Sequence, residues 1–186
     1  MCHCSTEYGA RKLRVALEER FQSCGLQLHP DKTKIAYCKG GSRKGGYSTV
    51  TFDFLGYTFQ PRWIQTRKGV QGLYFSAAIS QKSAKAIRDE INSWPWQYWC
   101  HKELVDIRNF SRSRLSGWLN YFSLFGRSFI RNVLFHFDKR LSRWAKKKYK
   151  KLKTLMQAAK RVNFARINNP QVFPHWQKKS MGKGWT

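Results

Sequence analysis

Apolar residues recur at helical spacing near the start of the chain. Leu13, Ala16, Leu17, Phe21 and Cys24 share one face, Ser5 or Thr6 can cap the first turn, and Gly25 suits the left-handed residue that ends a helix, so residues 6–24 are expected to be an amphipathic helix. The period then shortens. Leu26 and Leu28 alternate as a short strand, Pro30 turns the chain, and Lys34–Cys38 reads as a second strand. A loop, KGGSRKGGYS, follows; Gly46 is succeeded by Tyr47-Ser48 rather than Lys-Ser or Lys-Thr, so it reads as a basic loop and not as a phosphate cradle. Val50–Phe59 is strand-rich and aromatic, with Gly56 allowing a bend or a close approach, and Leu73–Ile79 is a further strand.

From residue 80 the period becomes that of helices. Ser80 or Gln81 opens a helix with Ala84, Ile87, Ile91 and Trp94 on one face, halted by Pro95. Glu103–Phe125 carries Leu115, Trp118, Leu119 and Phe122, and a third helix holds Ile130, Val133, Leu134, Phe137, Leu141 and Trp144 before a basic half from Lys139 to Lys153. A sheet segment with one helix, then a three-helix bundle and a basic C-terminal tail, makes an α+β arrangement. The expected divisions are residues 1–79, 80–155 and 156–186.

Composition sharpens this picture. The 186 residues contain 13 Phe, 8 Tyr and 8 Trp with 41% hydrophobic content, which argues for a folded chain because ordering entropy needs apolar burial to offset it. Charge then narrows the partner. Lys and Arg number 36 against 10 Asp and Glu, a formal net charge of +26, which calls for a polyanion. After Asp138 no acidic residue occurs, while 15 Lys and Arg lie between Lys139 and Lys183; a solvated helix face ordinarily mixes signs. No stretch approaches the roughly 18 apolar residues of a membrane span and no signal-peptide core is present, so a cytoplasmic protein without membrane contact is expected. Five scattered cysteines fit reduced thiols better than a disulfide framework, and Cys2-His3-Cys4 has no second ligand pair at finger-like spacing to close a zinc site.

Catalytic patterns are sparse. There is no Asp-Asp pair, no Ser/His/Asp context and no His-Glu-x-x-His; Glu18-Glu19 and Asp89-Glu90 point about 100° apart on their helices and read as surface charge. Basic residues interleaved with aromatics recur instead, at Arg62-Trp63, Arg67-Lys68 before Tyr74-Phe75, Arg108, Arg112 and Arg114 around Phe110, Arg143-Trp144, Lys146-Lys147-Lys148-Tyr149-Lys150-Lys151 and His175-Trp176-Gln177-Lys178. Cations hold phosphates and flat rings stack on unpaired bases, so these are the candidate RNA contacts. Trp118, Phe122 and Trp144, at helical period, read as core.

Three segments carry a family likeness. GLQLHPDKTKI (Gly25–Ile35), followed by FDFLGYTFQPR (Phe52–Arg62), resembles two conserved blocks of group II intron reverse transcriptases, and IRNFSRSRLSGWLNYF (Ile107–Phe122) resembles their maturase or thumb signature, Leu-x-Gly-Trp-x-x-Tyr-Phe. The resemblance implies that residues 1–79 are the end of a polymerase palm, that the three helices are a thumb and maturase domain, and that the tail is a basic extension. It further implies that Lys32 lies near nucleotide or primer phosphates and that Phe54, Leu55 and Gly56 support the primer end. The family's Tyr-Ala-Asp-Asp motif, two of its three metal carboxylates, has no counterpart here, so the chain is expected to be a fragment, inactive alone as an RNA-directed DNA polymerase. No cofactor is expected in this chain, Mg2+ belonging to the complete polymerase. The expected role is binding intron RNA or template–primer and assisting splicing and mobility of the retroelement. The alternatives are one half of a split polymerase completed by a separately encoded palm and fingers, a structural RNA-binding protein, or an inactive remnant.

Overall fold

A computed structural model of the chain describes residues 1–41, 45–65 and 69–177. Among the described residues one helix, three strands and four further helices follow in an α+β order: α1 Glu7–Ser23, β1 Phe52–Phe54, β2 Tyr57–Gln65, β3 Gln71–Ile79, α2 Gln81–Ser93, α3 Leu104–Phe122, α4 Arg127–Lys148 and α5 Leu155–Asn168. Two 3-10 segments, Trp96–His101 and Pro174–Trp176, complete the described elements. The strands form one antiparallel sheet in the order β1-β2-β3. By its contacts the chain divides into two units, Met1–Phe52 with Gln60–Phe75, and Asp53–Phe59 with Ser76–Thr186.

In the first unit, the α1 boundaries follow from local chemistry. The Thr6 hydroxyl accepts from the Gly9 N–H at 3.1 Å and Glu7 pairs with Arg11 one turn on. At the other end Gly25, at φ 70°, lets its own N–H reach the Gln22 carbonyl and the Leu26 N–H reach that of Phe21. That helix-end motif overturns the expected strand at Leu26–Leu28, since the Leu26 amide is consumed in closing α1. Lys34–Cys38 is not a strand either: the Tyr37 N–H donates to Thr49 at 2.9 Å, but a single bond of this kind does not build a ladder. The Tyr37 and Tyr47 rings pack against each other nearby, tilted by 35° with centres 4.2 Å apart.

The second unit holds the core. β1 turns into β2 through Leu55 and Gly56, at φ 48° and 77°, the two positive values of the tight hairpin turn whose twist matches that of the strands. Leucine pays for the left-handed region with about 1–2 kcal/mol of steric strain. Two hydrogen bonds hold it there, from the Tyr121 hydroxyl to the Leu55 carbonyl at 2.9 Å and from the Ser80 N–H to the Gly56 carbonyl at 2.9 Å. A side chain at position 56 would lie 2.9 Å from Ser83 Oγ, which is why glycine stands there.

The helices pack around a lattice of tryptophan and phenylalanine. Trp94 lies 5.3 Å from Phe110, 5.9 Å from Phe137 and 6.3 Å from Trp118, ring centre to ring centre. Buried indoles need a partner for their N–H: Trp96 donates to the Ile91 carbonyl at 2.7 Å and Trp144 to that of Trp99 at 2.8 Å. α3 buries Ile107, Ser111, Leu115, Leu119 and Phe122, and α4 buries the full predicted stripe together with Asp138 and Ser142. Phe122 and Trp144 are core, and Trp118 packs against it half-buried.

Between residues 155 and 177 the chain forms a helix and a returning segment. Thr154 and Gln157 form a reciprocal capping box, each side chain receiving the other's N–H at 3.2 Å, and α5 follows with Ala158 and Val162 buried against α4. After α5, Phe173 and Trp176 return to the core at 0% and 5% exposure.

Candidate nucleic-acid interface

Most of the predicted cations in the second unit lie on α3 and on the far half of α4. Arg108 and Arg112 stand one turn apart on α3; Arg112 is exposed, whereas the half-buried Arg108 guanidinium lies on Asn109 Oδ1 at 3.1–3.2 Å. Arg112 also lines a cleft of about 180 Å³ with Ser116 and Asn120 of α3 and with Gln171, Pro174 and Gln177 of the returning chain. Arg114 points to another side. Its Nε pairs with Glu90 at 3.1 Å and its guanidinium lies over the Phe110 and Trp94 rings, at 5.1 and 5.9 Å, so it joins α2 to α3.

At the end of α4, Arg143, Lys146, Lys147, Lys150 and Lys151 are exposed. Lys147 Nζ also donates to the Gln97 carbonyl at 3.3 Å. Lys148 differs from its neighbours. Its ammonium is largely covered, donates to the Lys102 carbonyl at 2.7 Å and to Glu103 Oε1 at 2.6 Å, and sits over Trp144 and Tyr149. The hydrogen bond it donates to Glu103 holds it above the ordinary lysine value, outweighing desolvation. It is a strut between α4 and the start of α3.

In the first unit, Lys32 is exposed in a turn and Arg62 is half-buried on β2, where burial disfavours its charge; Trp63 beside it is 78% exposed. Arg67 and Lys68 lie outside the described residues. In the second unit, Phe54 and Leu55 are exposed and Gly56 is half-buried at the hairpin turn.

The sequence pattern singled out Arg143 but not the basic cluster it belongs to. His136, Lys139, Arg140 and Arg143 follow at i, i+3, i+4 and i+7, one face of α4, and α2 presents Arg88 and Asn92 to it. His136 Nε2 lies 2.9 Å from Asn92 Oδ1. Burial first, then Arg88, Arg140, Arg143 and Lys139, push the imidazole below its ordinary value. Arg140 lies over the Trp96 ring at 5.9 Å and Lys139 over the exposed Phe135 at 5.5 Å. The signal was present as a basic i, i+3, i+4, i+7 stripe, yet Arg88 reaches it only through folding.

The pattern also overread the end of the chain. His175 and Trp176 do not face solvent: Asp138 Oδ1 accepts the Trp176 indole N–H at 2.8 Å and lies 3.0 Å from His175 Nε2, all three buried. This trio fastens the returning chain to α4. Among the described residues no three His, Cys, Asp or Glu side chains stand together as a metal-holding set, and no helix is long and apolar enough to cross a membrane.

The helices from α2 to α5 match a known domain. The family model described as "Group II intron, maturase-specific domain" covers residues 84–163. Residues 84–163 are thus similar to the group II intron maturase-specific domain. No curated protein and no solved structure matches the chain. The maturase match begins inside α2, takes in α3 and α4 whole, and runs nearly to the end of α5, so it includes both the His136 cluster and the Lys146–Lys151 run.

Proposed function

We propose that this chain grips intron RNA through the basic faces of its maturase-specific domain and thereby assists group II intron splicing. The observation that carries this reading is that 15 Lys and Arg with no acid between them occupy the sequence from Lys139 to Lys183, much of it on the folded helices α4 and α5. Like charges one turn apart repel, so a face of this kind costs stability in the free protein and is compensated when phosphates arrive. Lys146, Lys147, Lys150 and Lys151 would hold backbone phosphates, Arg112 and Arg143 would extend the contact, and exposed rings such as Phe135 would take unpaired bases. Template–primer is a second RNA ligand of the same chemistry. For the first unit, Lys32 and the Phe54–Gly56 turn are proposed to face nucleotide and primer. The Mg2+ chemistry of a polymerase is placed on residues other than these 186, which contain no Asp-Asp pair.

Filter binding of a structured intron transcript across a salt series tests the proposal. The log–log slope should fall by about 0.7–0.9 for each phosphate neutralised. Replacing Lys146, Lys147, Lys150 and Lys151 together by Gln should flatten that slope and weaken all sequences alike. A salt-independent affinity, or a quadruple variant that binds as tightly as the parent, would remove the basis of the reading. Primer extension by this chain alone with Mg2+ should give no product; extension would refute the placement of the metal chemistry.

A further inference from the structure

We propose that Arg88, His136, Lys139, Arg140 and Arg143 form a phosphodiester-binding notch between α2 and α4, in which His136 takes up a proton when RNA backbone is bound. The proposal deepens the RNA-binding reading and rests on it.

The notch is built from two helices and is not neutralised from within. Asp89 pairs with Lys85 at 2.9 Å, Glu90 with Arg114 at 3.1 Å, and Asp138 is buried against Trp176 and His175. The nearest carboxylates in sequence therefore serve other partners, and among the described residues the five basic groups have no ion pair with a carboxylate. Two of the cations are held in place by rings, Arg140 over Trp96 and Lys139 over Phe135, which lowers the entropy cost of meeting a ligand. Arg140 Nε is buried and has no hydrogen-bond partner among the described residues, so the outer nitrogens of its guanidinium are the ones proposed to meet phosphate.

His136 supplies the coupling. Asn92 Oδ1 is an acceptor, so it fixes the ring proton on Nε2 and leaves Nδ1 as the nitrogen that gains a proton. In the free protein the surrounding Arg88, Lys139, Arg140 and Arg143 oppose that step. A phosphodiester in their midst brings negative charge to the same place and reverses the balance. Binding and protonation then favour each other by the same factor, because linkage is reciprocal.

The test uses the full chain, a fluorescently labelled RNA hairpin and constant ionic strength, with affinity measured from about pH 8 to about pH 5, across the histidine range. Affinity should rise on acidification, about tenfold for each pH step by which RNA raises the imidazole midpoint. His136→Gln keeps a polar partner for Asn92 and cannot titrate; the ratio of its affinities at the acid and alkaline ends should lose most of the acid gain that the parent shows. Arg88→Gln with Arg143→Gln, at a half-buried and an exposed position, should weaken binding and lower the salt slope by about 1.4–1.8. The His136 imidazole, followed by NMR in the parent, should titrate at higher pH with RNA than without. Binding that is flat with pH, an acid gain that survives in His136→Gln, or an unshifted imidazole would overturn the coupling. An unweakened Arg88/Arg143 double variant would overturn the notch. Either failure leaves RNA binding by the other lysines intact, whereas a chain that binds anionic vesicles but no RNA at any pH would sink the functional reading as well.

Discussion

Removing the carboxylate of Asp138 should destabilise the protein more than its surface-like letter in a basic helix suggests. The residue is 6% exposed, and one oxygen serves two ring nitrogens, Trp176 Nε1 at 2.8 Å and His175 Nε2 at 3.0 Å. In Asp138→Ala the indole N–H is stranded in a buried setting, at about 1–3 kcal/mol, and the imidazole N–H adds a comparable amount, so the loss should be about 2–5 kcal/mol. Against a typical total of about 5–15 kcal/mol this is a large fraction. For a chain of this length it corresponds to a fall in Tm of about 5–15 °C. Asp138→Asn keeps an acceptor for Trp176 and should lose only about 1 kcal/mol. Urea melts followed by tryptophan fluorescence give the ranking, and a double-mutant cycle with Trp176→Phe isolates the pair. If Asp138→Ala and Trp176→Phe prove additive, or if Asp138→Ala melts with the parent, the trio does not fasten the returning chain to α4 and the reasoning fails.

Three further outcomes are expected. Gly56→Ala should cost about 1–3 kcal/mol, since the position has φ 77° and the new methyl would meet Ser83 Oγ at 2.9 Å, while Leu55→Asn, at an exposed left-handed position, should be neutral or raise Tm in calorimetry. Because folding lowers the His136 value, the folded chain binds fewer protons there than the unfolded one; stability from this group should be complete above about pH 6.5 and decline as pH falls toward the folded value, and His136→Gln should remove that part of the acid loss in melts without RNA. Lys148→Met should lower Tm yet leave the salt slope of RNA binding unchanged, in contrast to Lys146→Gln, because the Lys148 ammonium is held by Glu103 and the Lys102 carbonyl.

Local chemistry was readable in the letters wherever one segment decides its own state. The cap at Thr6, the stop at Gly25, the Ser80 start of α2 with its Pro95 stop, and the buried stripes of α3 and α4 all depend on contacts within about a turn or on burial of one face, and they appear where the pattern put them. The Thr154-x-x-Gln157 box was equally local and announced α5, but the surrounding lysines hid it. The Leu115–Phe122 motif likewise pointed, without coordinates, to the maturase-specific family whose model matches residues 84–163.

Tertiary structure decided what each exposed-looking residue actually meets. Leu26 and Lys34–Cys38 alternate like strands, yet a strand exists only if another strand answers its amides, and here the Leu26 amide is claimed by Phe21. His175 and Trp176 resembled an RNA-facing basic and aromatic pair until Asp138, some 37 residues earlier, proved to be their acceptor. Lys148 and Arg114 look like the cations around them but are occupied by Glu103 and Glu90, and Arg88 joins the α4 face only because α2 packs there. Periodicity encodes which face of an element is apolar; which charges remain open to a ligand is fixed by partners distant in sequence, and only the folded chain brings those together.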